Sequence, residues 1–482
     1  MAAPTFHVEA IELYERPVAL RIPFRFGAAT VTQAPQAFAR ARIRCANGNN
    51  AGTEAHGAAA ELMIPKWFDK SPAKSNADNI ADLRDSLVAA ADAYLSESRA
   101  LGTFGHFAAH YGALIADGNE NGRNALISSY GPALIDRAIL DALCSALGVS
   151  FQRAIQANLP GIDATLAPDL EGFELDRFLA SLAPRATIAA RHTVGLIDPI
   201  LGSDATTRVG DGLPETLEEV IATYGNRYFK LKLQGDPQAD VARLSRIAVV
   251  LDRLPHYAIT LDGNEQYADV AAVTELWDRV DRTPALARLA AAALYLEQPL
   301  PRNLALDVDV SALGRLTPLL IDESDATLEA FPTARALGYT GVSSKCCKGL
   351  YKSLLNAARC AKWNSETGTA HAFVSGEDLT MQAGLAVQQD LALVGLLGLR
   401  HVERNGHHYV DGFAGQGAST MEQQRFLAAH PGLYEITRGG VRLAIQDGTI
   451  DLASLTAPGF ASSAQPEWAA LAPLGTKVAA AA

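Results

Sequence analysis

Five short segments of the chain set lysines and acids at a recurring distance. Lys230-Leu231-Lys232 is followed by Asp262-Gly263-Asn264, Glu297-Gln298-Pro299 and Asp322-Glu323-Ser324, and then by Lys345 in Lys345-Cys346-Cys347-Lys348-Gly349. From Lys232 through Asp262, Glu297 and Asp322 to Lys345, successive gaps are 30, 35, 25 and 23 residues, each the length of one strand plus one helix. Taken singly, these segments are ordinary. A Lys-x-Lys is a solvated strand face, Asp-Gly-Asn a turn, Glu-Gln-Pro the start of a loop, and Asp322 a helix N-terminal acid beside Glu323. Their order and spacing give them a joint meaning. On adjacent strands Asp262, Glu297 and Asp322 would converge on one point and repel unless a cation joins them. An all-oxygen set without Cys or His fits a hard ion, Mg²⁺ first and Mn²⁺ second. Lys232 and Lys345 would face each other above it. Desolvation and the metal charge would lower a lysine towards neutrality, so that it acts as a base. A carboxylate substrate on the ion would then lose its α-proton, because the ion stabilises the enediolate. Opposed lysines can remove and return that proton on opposite faces.

The elements that must hold these groups follow a regular rhythm. From about residue 186, apolar runs at 191–197, 227–233, 257–262, 293–297, 318–322, 341–345, 369–374 and 399–403 alternate with amphipathic stretches such as 239–254, 350–363 and 381–396. Strand–helix alternation implies right-handed crossovers and a parallel sheet, and eight units point to a closed (β/α)₈ barrel. Functional side chains then project from the C-terminal strand ends, where the five segments fall. Upstream, residues 5–45 alternate apolar and polar side chains, as antiparallel strands with one wet face do. Residues 66–125 are Ala-rich and helical, with a turn at 118–122, and a strong helix runs from Pro132 to Leu147 and stops near Gly148. Beyond about 405 the chain is expected to fold back over its N-terminal part and to end in a frayed tail from Lys477. The expected division is a cap at 1–125, a barrel at 126–405 and a returning segment at 406–482.

Composition narrows the function classes. The 482 residues are 49% hydrophobic and 20% charged, enough to bury a large core and too ordered a mixture for a disordered chain. With 41 Lys plus Arg against 53 Asp plus Glu, the formal charge of -12 argues against nucleic acid or an anionic membrane as main partner. The five cysteines form no C-x-x-C pair and are read as reduced thiols of a cytoplasmic protein. Cys346 and Cys347 are expected in a strand, facing opposite ways. No basic-then-apolar leader opens the sequence, and no apolar run approaches the ~20 residues that span a bilayer. His106 and His110 have the i, i+4 spacing of a zinc helix but lack the acid of H-E-x-x-H. His371, His407 and His408 are read chiefly as buried or turn histidines, and no P-loop or G-x-G-x-x-G supports a nucleotide cofactor.

The five strand-end motifs resemble those of the enolase superfamily, in its mandelate racemase and muconate lactonizing enzyme branch. Pro23-Phe24-Arg25-Phe26-Gly27 and Ile139-Leu140-Asp141-Ala142-Leu143 are similar to its capping loop and first barrel-domain helix. The resemblance covers most of 5–45 and 125–405. It implies an α/β fold: a modified (β/α)₈ TIM-type barrel with an α+β capping domain formed by the N-terminal region and the C-terminal segment. It implies Mg²⁺ on Asp262, Glu297 and Asp322, Lys232 and Lys345 as acid/base pair, and Lys230 tuning Lys232 or contacting the substrate carboxylate. It also favours a homo-oligomer and a small-molecule carboxylate substrate. Asn264, Glu323, Lys348 and Glu377 are candidate substrate contacts, although Glu377 and Asp378 would serve equally as helix N-terminal acids. Leu350 stands where the family usually has a second Gly, Cys346 and Cys347 where it has aliphatics, and 65–120 is longer than compact members need. Racemisation or epimerisation of an amino-acid derivative is the favoured outcome. Cycloisomerisation and β-elimination use the same groups, and a catalytically inactive barrel serving as a binding module is the rival of a different class.

Overall fold

The computed structural model describes residues 3–27 and 29–478. Near the N-terminus, β1 (Phe6–Phe26), β2 (Ala29–Cys45) and β3 (Glu54–Leu62) form an antiparallel meander. One face is buried, as the alternation of Phe6, Val8, Ile11 and Leu13 requires, with the phase shift absorbed by a bulge between Val8 and Ala10. Three helices cover that face: α1 (Asn76–Ser96), α2 (Thr103–Glu120) and α3 (Ala125–Leu147). The helix expected from Pro132 starts a full seven residues earlier, capped by Asn124, whose Oδ1 accepts from Ile127 N at 3.1 Å. Proline inside a helix leaves one carbonyl without its N–H. Here that carbonyl, Ser128 O, accepts a hydrogen bond from Ser86 Oγ of α1 at 3.2 Å, so α3 continues through Pro132. Gly148, at φ 64°, ends it in the left-handed conformation.

The barrel strands are β4 (Thr187–Val194), β5 (Tyr228–Lys232), β6 (Ala258–Asp262), β7 (Ala293–Glu297), β8 (Leu319–Ile321), β9 (Gly341–Ser344), β10 (Phe373–Gly376) and β11 (His401–Arg404). They pair in parallel in chain order, and β11 pairs back onto β4. The sheet is therefore closed, as eight alternating units predict. Register does the positioning: Lys232 lies opposite Asp262, and Asp262 opposite Glu297, so the functional ends stand level.

After the barrel come the hairpin β12 (Tyr434–Thr437) and β13 (Gly440–Leu443), then β14 (Thr449–Asp451) and β15 (Ala472–Val478). β14 pairs antiparallel with the N-terminal end of β4, while β15 adds a fourth strand to the cap beside β1. Lys477 and Val478 are thus paired, with Ile11 and Ala10, and not frayed; residues 479–482 of the expected tail lie outside the described residues. Cys346 and Cys347 are also corrected. They form a 3₁₀ turn just past β9, and both are wholly buried. Among the described residues no helix is long and apolar enough to cross a membrane.

Candidate active site

The lysines come together first. β5 and β9 are four strands apart in a ring of eight, hence diametrically opposed. Lys232 at the end of β5 and Lys345 just past β9 line one cavity of about 20 Å³, with Lys230 at its floor. That space holds about one water. Its roof is aromatic and apolar: Phe24 and Phe26 from β1, with Ile64 and Trp67 from the segment after β3. The Lys345 ammonium sits 4.2 Å from the centroid of the Trp67 ring, a cation–π contact that fixes its head group. Two cations strap this part of the cap to the barrel. Arg302 binds Glu265 at 2.8 Å and donates to Trp67 O and Phe68 O at 3.0 and 2.8 Å. Lys70 pairs with Glu265 and Glu323 at 2.5 and 3.2 Å.

The acids occupy the strand ends between the lysines. Asp262 Oδ2 is 2.7 Å from Lys232 Nζ and 2.9 Å from Lys230 Nζ. Lys230 Nζ also lies 2.7 Å from Glu297 Oε2 and about as close to Glu377 and Glu403, at 2.8 and 3.0 Å. Asp322 Oδ2 lies 2.5 Å from Lys345 Nζ, while its Oδ1 accepts from Ser343 and stands 3.4 Å from Lys348 Nζ. Gln298 gives the Glu297-Gln298-Pro299 segment a structural part. Its Oε1 accepts from Asp322 N and Ser324 N at 2.9 and 3.2 Å, and its Nε2 donates to Ser324 Oγ at 2.7 Å, locking the end of β7 to the segment after β8. Gln298 and Asn264 both hold positive φ, 35° and 43°, a backbone cost tolerated where the surroundings over-determine it.

Electrostatics divides the acids. Burial opposes ionisation of all three. For Asp262 the ammonium groups of Lys230 and Lys232 outweigh it, and for Asp322 those of Lys345 and Lys348 do, so both carboxyls fall below their usual range. For Glu297 burial wins, reinforced by Asp262 and Glu377 with only Lys230 opposing, and its carboxyl rises well above the usual range. Burial would likewise pull Lys345 down, but the Asp322 carboxylate holds it above the ordinary lysine value.

Among the described residues no group of three His, Cys, Asp or Glu stands at metal-ligand spacing; lysine ammoniums lie among the three carboxylates. The donor set nevertheless fits a hard divalent cation. It consists of buried carboxylates on consecutive strand ends, one of them pushed towards neutrality by burial and then by its acidic neighbours, with no thiolate or imidazole.

The remaining candidates are set apart from the cavity. Asn264 donates to Glu323 at 3.2 Å, and Lys348 pairs with Asp325 at 2.8 Å. Neither these residues nor Glu377 line the cavity. Glu377 lies deeper, where it binds Lys230, accepts from Tyr295 Oη at 2.8 Å and from Ser375 Oγ at 2.7 Å, and pairs with Arg191. No helix starts at Asp378; its carboxylate accepts from the backbone N–H groups of Met381, Asn405 and Gly406 and ties β10 to β11. His106 stacks between Phe6 and Tyr94, and His407 and His408 pack around His192. The sequence reading missed the cavity residues Glu403, Asn405 and Trp67. Glu403 had a usable signal, as an acid ending the eighth apolar run; Trp67, in an irregular segment, had none.

No protein-family model matches the chain, and no curated relative does. Solved structures do. Muconate lactonizing enzyme from Pseudomonas fluorescens, complexed with muconolactone, is 18% identical at TM-score 0.55, covering 94% of this chain and 95% of its own. The L-Ala-D/L-Glu epimerase from Bacillus subtilis is 14% identical at TM-score 0.56, over 98% of this chain and all of its own. A dipeptide epimerase from Cytophaga hutchinsonii, complexed with Mg and D-Ala-L-Val, is 15% identical at TM-score 0.57, with the same coverage. The chain thus has the capped-barrel fold of muconate lactonizing enzymes and dipeptide epimerases.

Proposed function

We propose that the protein is a divalent-metal-dependent enzyme that removes the α-proton of a carboxylate substrate, and that it racemises or epimerises that carbon. The observation that carries this reading is the pair of lysines on opposite staves facing one small cavity. Held by Asp262, Glu297 and Asp322, Mg²⁺ would supply positive charge to the substrate carboxylate as negative charge builds at the α-carbon. Lys232 and Lys345 would be the proton carriers, one on each face of that carbon. Asp262 and Asp322 would orient them through the contacts described, and Trp67 would hold the Lys345 head group. Lys230, in contact with four carboxylates, would offset part of their negative charge beneath the reacting centre. The apolar roof would keep bulk water from the reacting carbon, so that the proton passes through the lysines, whose own N–H groups exchange with solvent. The Mg and dipeptide in the Cytophaga structure support both the ion and an amino-acid-derived substrate.

The test is α-hydrogen exchange in D₂O, followed by proton NMR across acid sugars, N-acyl amino acids and dipeptides. Exchange that needs Mg²⁺ and stops with a chelator is expected. Exchange indifferent to chelation, or absent from every carboxylate class, would contradict the reading.

A further inference from the structure

The N-terminal end of the barrel carries a hollow that the proton-transfer chemistry does not use. Barrel interiors are normally filled by layers of bulky aliphatic side chains. Here the lowest layer is aromatic and open. A space of about 500 Å³ is lined by Tyr228, Tyr295, Phe373 and His401, on β5, β7, β10 and β11. The rings stand in pairs: Tyr228 stacks on His401 with centroids 4.7 Å apart, and Tyr295 leans on Phe373 at 5.3 Å. Each pair is fixed from inside the barrel. His401 Nδ1 bonds Arg191 at 2.6 Å, Tyr295 Oη donates to Glu377 at 2.8 Å, and the Phe373 ring lies over Gly341, where any side chain would collide with it. The rings are thus held in place without filling the space between them. Arg400 stands exposed at the rim, and among the described residues its guanidinium has neither a hydrogen-bond nor an ion-pair partner. The Thr340 hydroxyl is buried in the same wall without a partner. A smaller cavity of about 80 Å³ adjoins, sharing Thr340 and His371. It is lined by Tyr339, 1% exposed, whose hydroxyl is also unpartnered, and by Arg335, which lies 4.4 Å over the Trp363 ring and has no ion pair. Among the described residues no acid lines either space, in a chain with 53 Asp plus Glu against 41 Lys plus Arg.

We propose that this hollow is a binding site, separate from the proton-transfer centre, for a small planar aromatic carboxylate, with its ring against the Tyr228–His401 and Tyr295–Phe373 pairs and its carboxylate on Arg400. Ring surface left open to water favours cover by another flat ring. One unpaired guanidinium at an acid-free wall matches a monoanion, to which it offers bidentate N–H groups. The Thr340 hydroxyl would serve a polar substituent on the ring. The site needs neither a metal nor the lysines at the barrel mouth, so it stands or falls independently of the proposed reaction.

The experiment uses the whole chain with a chelator present, and calorimetry reads the binding of 2-naphthoate, 2-naphthamide and 2-naphthyl phosphate. None of these probes carries an α-hydrogen on a saturated carbon, so none can be turned over at the mouth. The naphthoate should bind at least about fivefold tighter than the amide, and Arg400→Gln should bring the two within about twofold without moving the thermal unfolding midpoint. Tyr228→Leu should weaken acid and amide alike by about threefold to tenfold, while Lys345→Ala changes neither by more than about twofold. Equal binding of acid and amide by the unmodified protein overturns the proposal, as does a preference that survives Arg400→Gln. Loss of binding in Lys345→Ala also overturns it, because the ligand would then sit at the barrel mouth. Tighter binding of the phosphate overturns the assignment to a carboxylate. Absence of naphthoate binding overturns the site itself, and a dimer that Tyr228→Leu dissociates in sedimentation would then assign the hollow to a second copy of the chain.

Discussion

The barrel has a hollow at each end. At the N-terminal strand ends lies a space of about 500 Å³ lined by Tyr228, Tyr295, Phe373, His371 and Arg400; at the C-terminal ends the space is about 20 Å³ and is lined by three lysines. Volume favours the first and chemistry the second. The two are joined by a buried polar column in which His401, Arg191, Glu377 and Lys230 follow one another from base to mouth. Similar residue types thus serve two purposes. Deep in the column Arg191 and Glu377 face only neighbours inside the protein, whereas at the mouth Lys230, Lys232 and Lys345 each also reach a cavity. Exposure to a shaped, enclosed space, more than charge or burial, separates a reacting group from a structural one.

That contrast can be broken in four places, beginning with the largest effect. Lys232→Ala and Lys345→Ala should each lower net turnover about 10⁴-fold, about 5 kcal/mol of transition-state stabilisation, while the thermal unfolding midpoint stays within a few degrees. Retained turnover would remove the residue from the proton pathway. Glu377→Gln should instead cost about 3 kcal/mol of stability in denaturant unfolding, because it strips Arg191 and Lys230 of a buried partner. An unchanged midpoint would mean the column does not support the fold.

Third in size is an acid effect at the base. Burial, and then Arg191, hold His401 well below its ordinary value. Its folded pKa is lower than its unfolded value near 6.5, so the unfolded chain binds the extra proton first. This contribution is complete above about pH 6.5 and is lost as pH falls below it. His401→Gln should therefore flatten the acid limb of the stability profile, and an identical limb would deny the coupling. Smallest of all, Tyr228→Leu, at the larger hollow, should change turnover less than about threefold. A large loss there would give the base a part in the chemistry.

How much of this the sequence discloses depends on whether a residue's partners are periodic. The strand ends were legible because closure of a barrel repeats one unit, so Lys232, Asp262, Glu297, Asp322 and Lys345 recur at unit length and the pairing register sets them level. Arg191 and Tyr295 were illegible, since each sits mid-strand outside any motif and meets its partner Glu377 across 186 and 82 residues. Trp67 belongs to an irregular segment docked by Arg302 and Lys70, where neither period nor motif exists. The full start of α3 was hidden by Pro132, because the compensating donor, Ser86, lies on another helix.

The most direct test of the central claim, that two lysines serve opposite faces of one carbon, is enantiomer-resolved exchange in D₂O with the single-lysine variants and a substrate of the unmodified enzyme. Lys345→Ala should exchange the α-hydrogen of one enantiomer only and Lys232→Ala that of the other, with neither interconverting them. If both variants exchange the same enantiomer, or either exchanges both, the lysines do not act from opposite faces.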